Sequence, residues 1–151
     1  MEYVGKEQPA GCLFCRLIEN PQDPDAELVV WRPAGAIVML NKFPYNSGHV
    51  MLAPIAHRPG LDDLDDEQTT DLMRAVRRSI VVLRETMNPE GFNIGANMGR
   101  AAGAGIPDHA HLHVVPRWNG DTSYMVTLAE VKVINEHLLR TAEKLKAAFA
   151  S

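Results

Sequence analysis

This sequence has little of several features that define whole classes of protein. It has two cysteines among 151 residues and 6% aromatic residues. It has no apolar run near the roughly 18 residues that cross a membrane. Lys and Arg number 15 against 19 Asp and Glu, which gives a net charge of −4. We therefore expect no disulfide framework, no membrane association and no general binding of nucleic acid, which normally needs a basic surface.

The remaining composition is that of an ordinary globular protein. Hydrophobic residues make up 46% and charged residues 23% of the chain, which is typical of soluble domains. The length predicts one domain over residues 1–151, with residues 1–11 as a loose arm. The first residues lack the apolar segment of a secretory signal, and we expect the protein in the cytoplasm.

Hydrophobic periodicity and turn residues predict an α+β domain built on an antiparallel sheet. We expect strands at residues 28–31, 36–40, 49–54, 92–96 and 111–116, each bounded by turn residues. A short helical segment should follow the cysteines, and long helices are predicted over residues 65–86 and 130–149. The strands come in neighbouring runs with the long helices set apart, which favours the α+β class.

Three of the six histidines occupy alternate positions: His109, His111 and His113. Side chains of a strand alternate between its faces, so the three imidazoles should share one face. An ordinary half-buried strand needs no such set. Three imidazoles can hold a catalytic zinc. Alternatively, one neutral imidazole can attack phosphorus while a neighbour orients it or carries a proton. The spacing alone leaves both possibilities open.

The loop before the histidines is rich in small residues, with four glycines between residues 95 and 105. Exposed backbone N–H groups in such a loop can cradle phosphate oxygens. Arg100 could add charge there or could simply be solvated. Alone, the loop is equally consistent with a flexible turn. Beside a cluster of imidazoles, it favours phosphate chemistry.

Cys12 and Cys15 have the spacing C-x-x-C near the start of the chain. They could be two small buried apolar residues, a redox pair or half of a metal site. A thioredoxin-like redox pair is disfavoured because no βαβ unit follows. A tetrahedral structural zinc site would need two further ligands, and His57 is a candidate for one of them.

Taken together, these motifs resemble the histidine triad (HIT) superfamily. Residues 109–115 fit its pattern of three alternating histidines followed by two apolar residues. The similarity extends over nearly the whole chain, through residues 12–15, 41–45, 48–51, 91–93, 115–118 and 120–121. It is greatest to the fragile-histidine-triad-like hydrolases and the bacterial diadenosine tetraphosphate phosphorylases. Residues 41–45 and 115–118 favour the phosphorylase group.

The resemblance implies a HIT-like fold of about five antiparallel strands and two main helices, usually paired as a homodimer. It implies an enzyme that cleaves dinucleoside polyphosphates, as a hydrolase or a phosphorylase. His111 would attack the α-phosphorus to form a nucleotidyl-histidine, while His109 and His113 orient it and stabilise the developing charge. Water or phosphate would then release the nucleotide. The alternatives are a nucleoside phosphoramidate or acyl-adenylate hydrolase, and a nucleotide sensor with little turnover.

The resemblance also implies which residues bind the nucleotide. Asn41 would contact the ribose, and Leu40 and Phe43 would lie near adenine, although core packing is an equal alternative for Leu40. The phosphates would meet Asn97 and the loop residues Gly103, Ala104 and Gly105. Many members carry a glutamine, serine or threonine four or three residues before the first triad histidine. Gly105 and Ile106 occupy those positions here, so either backbone donors contribute more or the reaction differs.

Members of the family that carry zinc use two cysteines, a histidine and the first triad histidine. The matching residues here are Cys12, Cys15, His57 and His109. The resemblance therefore implies a structural zinc ion, and it implies no organic cofactor.

Overall fold

The chain folds into an antiparallel β-sheet with helices packed against it. The computed structural model describes residues 11–121 and 136–151. Within them lie three helices, α1 Leu13–Glu19, α2 Asp66–Met87 and α3 Leu138–Ala150, and five strands, β1 Val29–Trp31, β2 Ala36–Leu40, β3 Val50–Pro54, β4 Gly91–Gly95 and β5 Leu112–Arg117. The predicted α+β class and antiparallel sheet are confirmed. Residues 1–10 of the predicted arm and residues 130–135 of the predicted last helix lie outside the described residues.

The sheet has the order β1-β2-β3-β5-β4, and all neighbours are antiparallel. Met51 on β3 pairs with Met39 on one side and with His113 on the other. His113 in turn pairs with Gly95 on β4. Residues directly opposite one another in such a ladder point to the same face. One face of the sheet therefore carries the triad histidines.

The other face is apolar and belongs to the core. Leu40 pairs with Val50, and Val50 pairs with Val114. These three side chains are each 0% exposed. Since alternate residues point to opposite faces, this row lies on the side of the sheet away from His113. Helix α2 packs on β2, β3 and β5, and α3 packs on α2 and β1.

Helix α2 begins and ends where its capping residues predict. The side chain of Asp65 accepts a hydrogen bond from the backbone of Gln68, and Gln68 Oε1 accepts one from the backbone of Asp65. This reciprocal capping box satisfies two backbone donors at the helix start. At the other end Asn88 adopts a left-handed conformation with φ of 48°, which Asn tolerates better than most residues. Among the described residues, no helix combines the length and the apolar character that crossing a bilayer requires.

Candidate active site and metal centre

The three triad histidines lie in an extended segment that leads into β5. His109 and His111 precede the first residue of the strand, and His113 is its second residue. His109 is 0% and His111 5% exposed, and the ring centroids of His111 and His113 are 5.0 Å apart. Phe14 of α1 packs against both His109 and His111, with centroid distances of 5.2 Å. The triad is thus held in a largely buried pocket.

His111 has its two ring nitrogens in different environments. Its Nδ1 lies 2.8 Å from the carbonyl oxygen of His109. A carbonyl can only accept, so Nδ1 must carry the hydrogen, and Nε2 of the neutral ring keeps its lone pair. Burial lowers the pKa of His111, partly offset by this backbone hydrogen bond. His111 is therefore neutral near physiological pH, with Nε2 free to act as a nucleophile.

His109 directs its Nδ1 towards the cysteines. Its Nε2 donates to the carbonyl oxygen of Pro54 over 2.9 Å, which leaves Nδ1 with a lone pair. That Nδ1 lies 3.3 Å from Cys12 Sγ, 3.7 Å from Cys15 Sγ and 3.2 Å from His57 Nδ1. A backbone carbonyl on the second ring nitrogen is the usual support of a metal-binding histidine.

The four donor atoms of Cys12, Cys15, His57 and His109 all lie within 4.8 Å of one another. Cys15 Sγ is 3.2 Å from His57 Nδ1. Ligands of tetrahedral zinc with bonds of about 2.0–2.3 Å are separated by about 3.3–3.8 Å, close to the distances found here. Two thiols and two imidazoles are also a donor set that zinc prefers. The four residues fit a tetrahedral zinc ion.

Without a cation, the surroundings of Cys15 disfavour the ionisation of its thiol. The pKa of Cys15 is raised to about 11, first by burial and then by its hydrogen bond and charge interaction with Cys12. A coordinated divalent cation reverses this balance because it stabilises both thiolates. The four donors are therefore positioned to bind a metal ion.

The three triad imidazoles do not converge on a common point. In the described part of the chain, the single group of potential metal ligands takes only His109 from the triad. His111 directs Nδ1 to a backbone carbonyl, and His113 directs its Nδ1 to another histidine. This geometry disfavours the catalytic zinc held by three histidines that the spacing alone had left open.

His113 forms a hydrogen-bonded pair with His49. Their Nδ1 and Nε2 atoms are 2.8 Å apart. The backbone N–H of Tyr45 donates to His49 Nδ1 over 3.0 Å, so neutral His49 carries its hydrogen on Nε2 and donates it to His113 Nδ1. The hydrogen of neutral His113 must then lie on Nε2. This atom is buried and has no hydrogen-bond partner among the described residues, which leaves a donor for a substrate oxygen.

The protonation of His113 follows from the same surroundings. Burial, followed by the nearby charge of His111, lowers the pKa of His113 to about 4. A neutral ring with a fixed tautomer can donate one hydrogen bond in a defined direction. His113 is therefore suited to bind or protonate an oxygen, while His111 is suited to attack.

Two residues of this pocket were not among the predicted site residues. His49 is the first residue of the strand predicted at 49–54, and Phe14 falls in the short helical segment predicted around the cysteines. His49 lies two residues before Met51, the strand partner of His113. Alternate residues of a strand share a face. Knowledge of the pairing of β3 with β5 would therefore have placed the His49 and His113 imidazoles on the same face of the sheet.

The predicted ribose and base contacts lie at the end of β2. Asn41 is only 9% exposed. Its Oδ1 accepts the backbone N–H of Phe43 over 2.9 Å, and its Nδ2 lies 3.4 Å from His49 Nδ1. The Phe43 ring is 56% exposed, so a base could cover it. Leu40 lies in the buried row on the opposite face. The structure therefore does not bring Leu40 to the histidine face, and its surroundings are those of the core.

The predicted phosphate loop runs past the triad. Asn97 is partly buried and lies two residues beyond Gly95, the strand partner of His113. Gly103 has φ of +82° and donates its N–H to the carbonyl of Arg100. Ala104 donates to Gly99 over 3.3 Å, while Gly105 is exposed. The loop thus has a defined turn, and its contact with phosphate stays a prediction.

Comparison with known proteins agrees with this geometry. The sequence profile of the HIT domain family matches residues 23–120. The chain belongs to the HIT domain family. The solved structure of a zinc-bound histidine triad family protein from Mycobacterium smegmatis superposes with a TM-score of 0.73 at 30% identity, and covers 93% of this chain and 94% of its own.

The curated relatives include proteins whose names describe an activity. The AP-4-A phosphorylase of Mycobacterium tuberculosis is 41% identical over 130 residues, which are 85% of this HIT chain and 66% of the relative. This chain thus spans about two thirds of that protein's length. The adenosine 5'-monophosphoramidase of Schizosaccharomyces pombe is 27% identical over 134 residues, which are 84% of this chain and 95% of the relative.

Proposed function

We propose that this HIT protein cleaves dinucleoside polyphosphates, such as diadenosine tetraphosphate, through a nucleotidyl group carried on His111. The observation that carries the proposal is the fixed tautomer of His111, whose Nδ1–H donates to the His109 carbonyl over 2.8 Å. A buried neutral imidazole with a free Nε2 is a nucleophile that needs no separate base. The relative named AP-4-A phosphorylase, which matches 85% of this chain, also supports the proposal.

In the first step, the lone pair of His111 Nε2 attacks the α-phosphorus. The new N–P bond forms as the bridging P–O bond breaks, and its electrons leave with the remaining polyphosphate. The ring then carries a positive charge, which the hydrogen bond from Nδ1–H to the His109 carbonyl stabilises. His113 Nε2–H is the donor that would meet a phosphate oxygen as negative charge develops.

In the second step, water or phosphate attacks the same phosphorus and the N–P bond breaks. The electrons of that bond return to His111 Nε2, so the enzyme regains its starting tautomer. Water would give a nucleoside monophosphate, and phosphate would give a nucleoside diphosphate. Two such steps are each easier than direct displacement.

The nucleotide would be held by residues on either side of the triad. Buried Asn41 is suited to the ribose hydroxyls, and exposed Phe43 to one face of the base. Asn97 and the loop of Gly103, Ala104 and Gly105 would bind the phosphates. Gly105 and Ile106 offer no side-chain donor, and the N–H groups of Gly103 and Ala104 already donate within the turn. We therefore expect the backbone N–H of Gly105 and His113 to bind most of the phosphate charge.

We further propose that Cys12, Cys15, His57 and His109 hold one zinc ion with a structural role. A closed set of four protein ligands leaves no position for water or substrate. Bound zinc would tie α1 and the end of β3 to the strand that carries the nucleophile. Because the ligands must be reduced thiols, this proposal also favours a reducing compartment such as the cytoplasm.

We propose that the protein is a homodimer joined through β4. This strand is at the edge of the sheet and pairs only with β5 within the described residues. Ile94 and Met98 beside this edge are 47% and 51% exposed. An unpaired edge with exposed apolar side chains is suited to a second copy of the same strand. Light scattering should give twice the chain mass, and Ile94→Lys should reduce it.

The proposed reaction is tested by incubating the purified protein with diadenosine tetraphosphate, with and without inorganic phosphate. AMP and ATP formed regardless of phosphate would identify a hydrolase. ADP and ATP formed only with phosphate would identify a phosphorylase. The absence of turnover in both reactions would refute the proposal and leave a nucleotide sensor, for which binding should persist in His111→Asn.

A second candidate is the hydrolysis of nucleoside phosphoramidates or acyl-adenylates. It is favoured by the S. pombe monophosphoramidase, of which this chain matches 95%. The same His111 would attack the same phosphorus, and only the leaving group would differ. An adenosine phosphoramidate cleaved much faster than diadenosine tetraphosphate would favour this candidate.

A further inference from the structure

The segment after the triad has no part in the proposed chemistry, yet its side chains form a defined polar network. Arg117, at the end of β5, donates from Nε and Nη2 to the two carboxylate oxygens of Asp121 over 2.6 and 2.7 Å. The backbone N–H of Trp118 also donates to Asp121, over 3.1 Å. The Asp121 side chain is only 10% exposed. A bidentate pair of this kind fixes the direction of the carboxylate.

This carboxylate reaches across to the loop between β2 and β3. Asn46 Nδ2 donates to Asp121 Oδ2 over 2.8 Å and to the carbonyl of Pro116 over 3.2 Å. Both partners are acceptors, so the amide must present its NH₂ group to them. Asn46 Oδ1 then accepts the backbone N–H of Ser47 over 3.0 Å. The position and the orientation of Asn46 are therefore both set by the end of β5.

Asn46 is joined directly to the donor that fixes His49. Its neighbour Tyr45 supplies the backbone N–H that lies 3.0 Å from His49 Nδ1. The carbonyl of Asn46 accepts the backbone N–H of His49 over 3.2 Å. These bonds close a turn around the His49 ring. A displacement of Asn46 would therefore displace the Tyr45 N–H as well.

We propose that Asp121 is a positioning residue for the HIT reaction, which acts through Asn46 to hold the Tyr45 N–H against His49 Nδ1. Arg117 keeps the Asp121 carboxylate in place for this task. The effect on turnover rests on the proposed function, because it requires His113 to act on a substrate phosphate. The effect on the histidine tautomers does not depend on the substrate.

The consequence for the reaction depends on which ring nitrogen carries the hydrogen in His49 and in His113. While Tyr45 donates to His49 Nδ1, His49 keeps its hydrogen on Nε2 and donates to His113. If this donor moved away, His49 could hold its hydrogen on Nδ1 and turn a lone pair towards His113. His113 would then carry its own hydrogen on Nδ1 and direct the Nε2 lone pair at the substrate. A lone pair opposite a phosphate oxygen repels where an N–H attracts.

The test is Asp121→Asn, which keeps the size of the side chain and removes its charge. We expect kcat for diadenosine tetraphosphate to fall, by up to about 100-fold as for other misplaced catalytic groups. AMP affinity should change little, because the lost contact acts in the transition state. Nitrogen-15 NMR of the imidazoles should show His49 change from one tautomer to a mixture. A residue with only a structural role would lower stability without moving this signal.

Glu136→Gln is the matched control. Glu136 is also a partly buried carboxylate, which accepts hydrogen bonds from Thr141 and Lys144 beside α3. Its loss should leave kcat and the His49 tautomer as in the wild type. Asn46→Ala removes the same link from the other side, and carries the test if Asp121→Asn does not fold.

Asn46→Asp should lower kcat at least as much as Asn46→Ala, because its carboxylate would face both the Asp121 carboxylate and the Pro116 carbonyl. Asp121→Asn with the wild-type kcat, or with the wild-type His49 tautomer, would overturn the inference. If the wild type turns over no nucleotide, the proposed function fails, and the NMR signal alone decides the role of Asp121.

Discussion

The two ends of the triad differ in the chemistry of their neighbours, although the same residue type stands at both. At the His109 end, the nearby atoms are two thiol sulfurs and His57 Nδ1. At the His113 end, the neighbour is a histidine that donates a hydrogen bond, itself fixed by a backbone N–H. One end is built to attract a cation, and the other is built to offer a hydrogen.

This difference shows how three equivalent side chains acquire three roles. The alternation of the strand brings the imidazoles to one face but does not distinguish them. The partner of the second ring nitrogen does: a carbonyl of β3 for His109, the His109 carbonyl for His111, and His49 for His113. Each partner selects which nitrogen keeps the lone pair. The proposed nucleophile therefore lies between a proposed metal ligand and a hydrogen-bond donor.

The largest expected effect comes from the residue between the two ends. We expect His111→Ala to lower turnover of diadenosine tetraphosphate by at least about 10⁴-fold, because the proposed covalent intermediate forms on its Nε2. AMP binding should largely survive, since the proposed ribose and base contacts, Asn41 and Phe43, lie outside the triad. Activity is measured by product separation, and binding by calorimetry.

His137→Ala is a suitable control, because this histidine caps α3 far along the chain. It should retain wild-type turnover. Turnover by His111→Ala at the wild-type rate would show that another residue is the nucleophile, and the assignment of the middle histidine would be wrong.

The next largest effect is expected at the metal end of the triad, which is His109 with the other proposed zinc ligands. Cys12→Ser should remove the zinc, which we expect at about one ion per chain in the wild type. A ligand held about 1,000-fold above its Kd stabilises a fold by about 4 kcal/mol. For a domain of this size that corresponds to a melting temperature lower by about 10 °C.

Elemental analysis and thermal melts measure these two outcomes. Turnover in Cys12→Ser should fall less than in His111→Ala, because the metal end positions the triad and touches no reacting atom. Wild-type protein purified without chelator and found free of metal would contradict the zinc site.

The local motifs of this pocket were predictable from sequence, and its long-range contacts were not. His109, His111 and His113 lie within five positions, and Cys12 and Cys15 within four, so their spacing is visible in the chain. The strands and helices follow from periodicity and caps, with bounds within one or two residues for those wholly described. These features depend on neighbours in sequence.

The role of His49 could not be predicted in this way. A single histidine at the start of a strand resembles an ordinary core residue. Its partnership with His113 exists only because β3 pairs with β5, 64 positions apart. Leu40 illustrates the reverse case, since one step of strand alternation separates this core position from Asn41, the proposed ribose contact. Which face a residue joins is decided by pairing register, which a single sequence does not contain.

The His113 end of the triad gives a smaller expected effect, which is on the pH dependence of stability. The pKa of His113 is about 4 in the fold, against 6.5 for an ordinary histidine. Between these values the unfolded chain binds a proton that the folded chain does not. Stability should therefore fall as the pH drops from 6.5 towards 4, with no further contribution from this group below 4. The groups that face His113 are His49, His111 and Tyr45.

His113→Asn removes this proton and keeps the metal end unchanged. Its denaturant midpoint should depend less steeply on pH over this interval than that of the wild type. Parallel curves for the two proteins would mean that His113 titrates normally in the fold. In that case the His113 ring would be charged and not neutral at moderately acidic pH.

The smallest expected effect comes from Tyr45, whose backbone N–H and ring contribute to the site in different ways. The ring is 56% exposed and stacks on His113 with a centroid distance of 5.8 Å. The donor to His49 is the backbone N–H, which any substitution except proline retains. Tyr45→Phe should keep both the stack and the donor, with turnover within about twofold of the wild type. Tyr45→Ala should lose the ring contacts with both His113 and His49, and lower turnover by up to about tenfold. A larger loss in Tyr45→Phe would show that the hydroxyl takes part in the reaction. The tyrosine would then act chemically beside His49 and His113.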